Sequence, residues 1–371
     1  MATVTWKPSR VKGDVLLRVA VVVLATFLAN LPGPQALAQD SRSTAGGSAA
    51  LDRWPLGGTG GWDLLGFDPK RQHLFVTRSD RVDVVDASTG HIAATIHGTD
   101  GVHGVAIAES LKRGFTSNGK SDTVTVFDLD SLAVLATVPV PGHNPDGILF
   151  EPKRQRLFTF NGRSRDVTVF DAQSMKVLAT LTMPDKPELA VADGDGNVYL
   201  NIESSVGQLV RIGGEEPRVE ATWKLDGCEE PTGLALDDAR RRLFSACRNG
   251  VMAVTDARDG RALARAPIGG SPDGAAYDDS TGTAFSSNGA GSVSVIRETA
   301  PGRFETVESL PTERGARTMA LDPGSARIFL VTADFAAPAP AAVAGNAAPV
   351  RPQQVPGTFR VLVVHLVPAA H

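Results

Sequence analysis

A motif repeated seven times at intervals of 40 to 44 residues, an aromatic at one fixed place in every copy, and strand-like alternation in between predict an all-β chain. The period is that of four short strands, so the predicted fold is a seven-bladed β-propeller with four antiparallel strands per blade. The motif reads Gly61-Trp62-Asp63, Gly101-Val102-His103, Asn144-Pro145-Asp146, Lys186-Pro187-Glu188, Glu230-Pro231-Thr232, Ser271-Pro272-Asp273 and Gly315-Ala316-Arg317. Each copy opens a short apolar first strand, such as Gly233-Leu234-Ala235-Leu236-Asp237. After a polar turn, the second strand carries the aromatic: Phe75, Phe115, Phe158, Tyr199, Phe244, Phe285 and Phe329.

Third strands alternate in the way of Thr123-Val124-Thr125-Val126-Phe127-Asp128. In four copies they end in Asp86, Asp128, Asp171 and Asp256, whose carboxylates are placed to accept backbone N–H groups of the next turn. A fourth strand, as in Val134-Leu135-Ala136-Thr137-Val138, completes the unit. The seventh copy stops at its third strand, residues 359–365, and residues 49–56 align with the fourth strand at 133–140. The N-terminal strand is therefore expected to complete blade 7 and close the ring, removing a free sheet edge. The propeller domain is set at residues 49–371, with the Ala- and Pro-rich segment 335–357 as a flexible loop insertion in blade 7.

Ahead of it, Lys7, Arg10, Lys12 and Arg18 lead into the apolar stretch 19–31, and Ala36-Leu37-Ala38 follows a Pro-Gly-Pro break. That order is a secretory signal peptide, residues 1–38, followed by a flexible tether at 39–48. The predicted location is periplasmic or secreted, as a monomer with no membrane span after cleavage, because 13 apolar residues at about 1.5 Å each fall short of a hydrocarbon core about 30 Å thick. The full chain has net charge −4; the signal carries four basic side chains and one acidic, so the mature protein stands at −7. No basic stripe suits phosphate contacts, and nucleic acid is not an expected partner. The one dense basic cluster, Arg240-Arg241-Arg242, is read as a solvated turn tip.

These units resemble the YVTN-type propeller repeat, in which a Tyr/Phe-Val-x-Asn strand precedes a Val-x-Val-Ile-Asp strand and a Val-x-x-Thr-Ile-x-Val strand. Phe115-Thr116-Ser117-Asn118, residues 123–128 and residues 134–140 with Pro145-Asp146-Gly147 carry the likeness, which is greatest to exported YncE-like bacterial proteins. It implies a propeller over residues 49–366. Such propellers serve binding, scaffolding and hydrolysis alike.

First strands line a propeller's channel, so the residues that begin them gather at one mouth. That column reads Asp63, His103, Asp146, Glu188, Thr232, Asp273 and Arg317, and the returning second strands end at Asn118, Asn161 and Asn288, with Asn201 close to the end of its own. A ring of carboxylates and amides suits a divalent cation such as Ca²⁺, and Arg317 suits an anionic group on a small substrate. The expected ligand-binding residues are thus Asp63, His103, Asn118, Asp146, Asn161, Glu188, Asp273, Asn288 and Arg317, with a small molecule, a metal ion or a protein as partner. The alternative is a lactonase-like hydrolase in which His103 and Glu188 do the chemistry, His103 as general base. A scaffold would instead present an exposed apolar rim. Cys228 and Cys247, the two cysteines, lie at adjacent strand ends in an exported chain and are expected to form a disulfide; the alternative is a thiolate metal site that includes His103. Asp193-Gly194-Asp195-Gly196-Asn197 lacks the spacing of a calcium loop and is read as a tight turn.

Overall fold

A computed structural model of the chain describes residues 49–336 and 353–366. Among these residues, 28 strands form seven separate four-stranded antiparallel sheets. Blades 1 to 6 occupy residues 65–97, 102–139, 145–182, 186–224, 231–267 and 272–311. Blade 7 is ordered Ala50–Pro55, Arg360–His365, Arg327–Thr332, Met319–Asp322 from rim to channel. The N-terminal strand pairs antiparallel with the last one, from Ala50 opposite His365 to Pro55 opposite Arg360. The expected closure of the ring is what forms.

Successive side chains on a strand face opposite sides of its sheet, so each blade offers one apolar face to each neighbour. In blade 1, Leu74 and Val76 enter a cluster shared with blade 7, while Phe75 between them enters one shared with blade 2. Seven such clusters occur among the described residues, one at each junction between neighbouring blades. The seven recurrent aromatics are all at most 3% exposed. Full burial of each contributes about 2 kcal/mol, which accounts for an aromatic in every copy. Blade 2 has Gly114 where other blades have Leu74, Leu157 or Leu243, because a Cβ there would lie 2.0 Å from the Phe127 ring.

Turn chemistry follows the carboxylates. Asp86, Asp128 and Asp171 accept the backbone N–H of Ser88, Ser131 and Ser174, and Asp256 that of Arg258, at 2.7 to 2.9 Å. A second set, not singled out in the sequence, ends the first strands: Asp68, Glu151, Asp193, Asp237, Asp278 and Asp322 accept N–H groups of the following turn. Asp193 to Asn197 is accordingly a turn. The arginine cluster is not a solvated tip. Arg241 reaches Asp193 at 3.0 Å and Asp195 in blade 4, and Arg242 meets Glu298 of blade 6 at 2.6 Å. The turn stands beside its neighbours' carboxylates, so its guanidinium groups join three blades.

The insertion assigned to 335–357 has a paired base: Phe335 bridges Gln354, and Val355 donates its N–H to the Asp334 carbonyl at 2.8 Å. Trp62 covers this base, with its ring 6.2 Å from Phe335 and 5.2 Å from Phe359. Residues 337–352 of the insertion, the signal peptide at 1–38 and the tether at 39–48 lie outside the described residues. No helix among the described residues is long and apolar enough to cross a membrane.

Candidate functional site

The motif residues stand at a break in the ladder. Between first and second strands the register shifts at Val102/Gly104, Pro145/Ile148, Pro187/Ala190, Pro231/Leu234 and Pro272/Gly274, spanning His103, Asp146, Glu188, Thr232 and Asp273. A bulge of this kind removes a residue from pairing and re-aims its side chain. Pro145, Pro187, Pro231 and Pro272 help to end the regular ladder there, having no N–H to contribute. In blades 1 and 7, Asp63 and Arg317 precede the first strand and reach the same mouth.

Six of the seven motif side chains form a collar. His103 Nδ1 lies 2.6 Å from Asp63 Oδ2 and 3.5 Å from Asp146 Oδ1. Arg317 Nε is 3.0 Å from Asp273 Oδ2. Glu188 pairs with Lys186, whose Nζ is also 2.7 Å from Glu203, and Glu203 in turn is 2.8 Å from Arg248. Thr232 is the exception: it is buried, and its hydroxyl donates to the Pro272 carbonyl at 3.2 Å.

Backbone at the collar is held by the neighbouring blades. Thr318 donates to the Asp63 carbonyl at 2.9 Å, Ser117 to the Asp146 carbonyl, and Ser287 to that of Arg317. These hydroxyls correct the expectation for the asparagines. Ser117 and Ser287 face the next blade, so Asn118 and Asn288, one residue on, face away. Asn118 and Asn288 are fully buried and bond to Thr123 and Thr125, and to Ser292 and Ser294; Asn161 is likewise buried on Asp166 and Thr168. None of the three presents an amide to the mouth. Asn201, one position earlier in its strand, bonds to the Thr232 and Gly233 carbonyls of blade 5.

Lys186 and Glu203 are collar residues that the sequence reading did not assign to the site, and Arg248, which follows Cys247 at the end of a returning strand, was expected at the mouth but not among the ligand-binding residues. Glu203, the last residue of its second strand, and Arg248, one past its own, occupy the place where blades 2, 3 and 6 have Gly119, Gly162 and Gly289, so a charge replacing glycine was the available signal. Cys228 and Cys247 form the disulfide, with Cα atoms 5.3 Å apart. They are bonded to each other, which removes the thiolate metal site.

Below the collar the channel wall is mixed, aliphatic side chains standing among exposed backbone and polar atoms. A cavity of about 190 Å³ is lined by first-strand residues of all seven blades, including Leu64, Val105, Ile148, Leu189, Leu234 and Met319. A cavity of about 220 Å³ lies between blades 6 and 7, beside Asp278, Arg297 and Glu308, and draws on those two blades alone.

Burial disfavours a charged imidazole, but the Asp63 hydrogen bond and the charge of Asp146 outweigh it and raise the pKa of His103. Burial raises Asp146, opposed by His103. It pushes Asp273 up to about 6 despite Arg317. Glu188 is pushed up to about 9, first by burial, then by Glu203 and the charge of Asp146, against the opposing ammonium of Lys186. Between the ordinary carboxylate value of ~4.3 and the raised one, the folded chain keeps a proton on Glu188 that the unfolded chain has released; stability from this group therefore falls as pH rises. Glu188→Gln keeps the neutral shape and both hydrogen bonds. Its Tm relative to wild type is expected to increase between pH 5 and pH 8 in parallel calorimetric scans. A difference that stays flat or shrinks contradicts a Glu188 that is protonated in the folded chain.

Comparison with known proteins places the architecture. No protein-family model matches the sequence, and no curated protein aligns with it significantly. Among solved structures, "Structure of U3-55K" superposes with a TM-score of 0.69 at 13% identity, covering 85% of this chain and 98% of that one. "Crystal structure of RRP9 WD40 repeats" gives 0.67 at 13% identity, covering 85% and 97%. The likeness is one of fold. A seven-bladed propeller of the WD40-like kind is established by it, and at that identity nothing about ligand or activity transfers.

With the fold placed, the collar can be judged by its own chemistry. Its carboxylates, Asp63, Asp146, Glu188, Glu203 and Asp273, outnumber the fixed cations Lys186, Arg248 and Arg317. Among the described residues, Asp63, His103 and Asp146 form a group whose donor atoms all lie within 4.8 Å of one another, close enough to share one metal ion.

Proposed function

We propose that this is an exported binding protein, a YncE-like propeller of the YVTN-repeat kind, whose small ligand is captured at the channel mouth. The observation that carries the reading is a charged collar set over a channel cavity that aliphatic side chains line together with backbone polar atoms, both supplied by the first-strand segments. Small-molecule sites combine an apolar wall with a few converging polar groups in this way. Exposed apolar side chains support capture at the mouth over protein scaffolding there. Of the exposed large apolar side chains among the described residues, Ile92, Val134, Leu135, Val177, Leu178 and Val219 sit at the start of outer strands, at the opposite face and spread over separate blades, and Val206, in the turn after Glu203, stands alone on the mouth side.

The test is thermal shift against a panel of metabolites carrying a cationic, a hydrogen-bond-donating or a metal-coordinating head, such as a carboxylate, on a short apolar body. A true ligand at about 100 times its Kd adds about 2.7 kcal/mol of stability. The shift should vanish in His103→Ala/Asp146→Asn. No shift across the panel, or one of equal size in the variant, removes this reading.

A lactonase-like hydrolase is the second reading, favoured by one observation. Asp63 engages His103 Nδ1, which leaves Nε2 to act as a base. That nitrogen faces Gly119, where any side chain would collide with it, and no group among the described residues is placed to serve as a nucleophile or oxyanion partner beside it, so binding is the better-supported function.

A further inference from the structure

We propose that Asp63, His103 and Asp146 form a binding site for a borderline divalent metal of the Zn²⁺ class, which anchors the ligand at the mouth. The inference deepens the reading above and rests on the mouth being a binding site. Three observations support it.

The first is the donor set. His103 Nδ1 lies between two carboxylates, at 2.6 Å from Asp63 and 3.5 Å from Asp146. Ligands bound at about 2.0 to 2.2 Å in a tetrahedron stand about 3.4 Å from one another, so small side-chain rotations bring these three into range and leave a fourth position for water or ligand. One imidazole nitrogen with two carboxylates suits Zn²⁺ and its neighbours. Ca²⁺ asks for six to eight oxygens, and the asparagines that were to supply them, Asn118, Asn161 and Asn288, turn away from the mouth.

The second is the unmet partner. The Asp146 carboxylate is 23% exposed and accepts no hydrogen bond among the described residues, its nearest cationic group being His103 at 3.5 Å. The other collar cations are engaged elsewhere: Arg317 with Asp273, Lys186 with Glu188 and Glu203, Arg248 with Glu203 and Glu230.

The third is rigidity. Asp63 takes an N–H bond to Thr77 at 3.2 Å and a carbonyl bond from Thr318, the His103 carbonyl accepts from Leu64 at 3.0 Å, and the Asp146 carbonyl accepts from Ser117. Three ligands on pinned backbone, one from each of three consecutive blades, lose little freedom on closing around an ion.

The experiment is calorimetric titration of untagged, EDTA-stripped and desalted full-length mature protein with ZnCl₂, then with CaCl₂, alongside Asp146→Asn and Asp63→Asn. Wild type is expected to take up one Zn²⁺ per chain and to prefer it to Ca²⁺. Each variant should weaken Zn²⁺ about ten-fold or more while keeping the wild-type circular dichroism spectrum. Co²⁺ in place of Zn²⁺ should give a visible d–d band that both variants lose. No uptake, a preference for Ca²⁺, or Zn²⁺ uptake equal in the variants, as exposed His143 beside Asp122 would produce, overturns the proposal. Repeating the metabolite panel in EDTA separates the two ideas. Ligand binding that is lost in EDTA and restored by Zn²⁺ supports the metal anchor. Binding that persists in EDTA leaves the binding function standing and removes the metal, and no shift with or without Zn²⁺ removes the binding function.

Discussion

A chain that starts at Leu56, without the strand Ala50–Pro55, is expected to lose its folded monomer. That strand supplies every partner of Arg360–His365 on the rim side, in six register pairs. It also supplies Trp54, whose ring lies 5.8 Å from Phe329 in the cluster joining blades 7 and 1. Its loss uncovers a row of N–H and C=O groups along Val361, Leu362, Val363 and Val364, an apolar edge of the kind that templates aggregation. Two ties on the same rim disappear as well, Arg53 to Glu313 at 2.6 Å and Asp52 to His365 at 2.9 Å. Gel filtration should show the shortened protein in the void volume or in inclusion bodies, with no cooperative melting transition. A monodisperse monomer with the parent Tm would mean that the ring is closed by something other than this strand. Trp54→Ala, which keeps the backbone pairing, should fold and melt several degrees lower.

The disulfide carries the second-largest effect. Cys228 and Cys247 are separated by 19 residues, and removing a cross-link of that span costs about 3 kcal/mol in the chain-entropy account. For a domain above 300 residues that is a fall in Tm of about 5 °C. Cys228→Ser/Cys247→Ser should show this fall in the absence of reductant, and dithiothreitol should lower wild type towards it while leaving the variant unchanged. Both sulfurs are buried, so reduction of the folded protein should be slow. The bridge also fixes Arg248, the residue after Cys247, against Glu203 and Glu230. Loosening it should disturb the collar at Lys186 and Glu188 before it disturbs any blade core. Equal Tm values for wild type and the serine pair would show that the cross-link adds nothing.

What could be read from residues alone followed the period. Seven copies of one motif fix the blade count, and the aromatic at Phe75, Phe115 and their equivalents fixes which strand is second, because each blade repeats the same burial. Closure by the N-terminal strand was legible because its residues continue the repeat that the last blade lacks. The mouth was only half legible. Asp63, His103, Asp146, Glu188, Asp273 and Arg317 share a column and a place in space, but Asn118, Asn161 and Asn288 share a column and face away. Distance along a strand says how near a residue comes to the mouth; parity says which side it presents, and Ser117 is the member of that pair in contact with the next blade. Arg241 was misread for a related reason. A turn seen alone looks solvated, and the carboxylates that meet it, Asp193 and Asp195, come from the preceding blade some 46 to 48 residues away.

The register break beside five of the motif residues separates two kinds of constraint. Residues before and after it answer to the ladder and to the junctions between blades, while His103, Asp146, Glu188 and Asp273 answer chiefly to their partners in the collar, Asp63, Lys186 and Arg317 among them. Recognition can therefore drift without the scaffold drifting with it. A propeller built this way is open to re-purposing: exchanging the occupants of a few seats at the mouth, as Glu203 and Arg248 put charge where other blades have glycine, changes the chemistry of the mouth and leaves the seven junctions as they were.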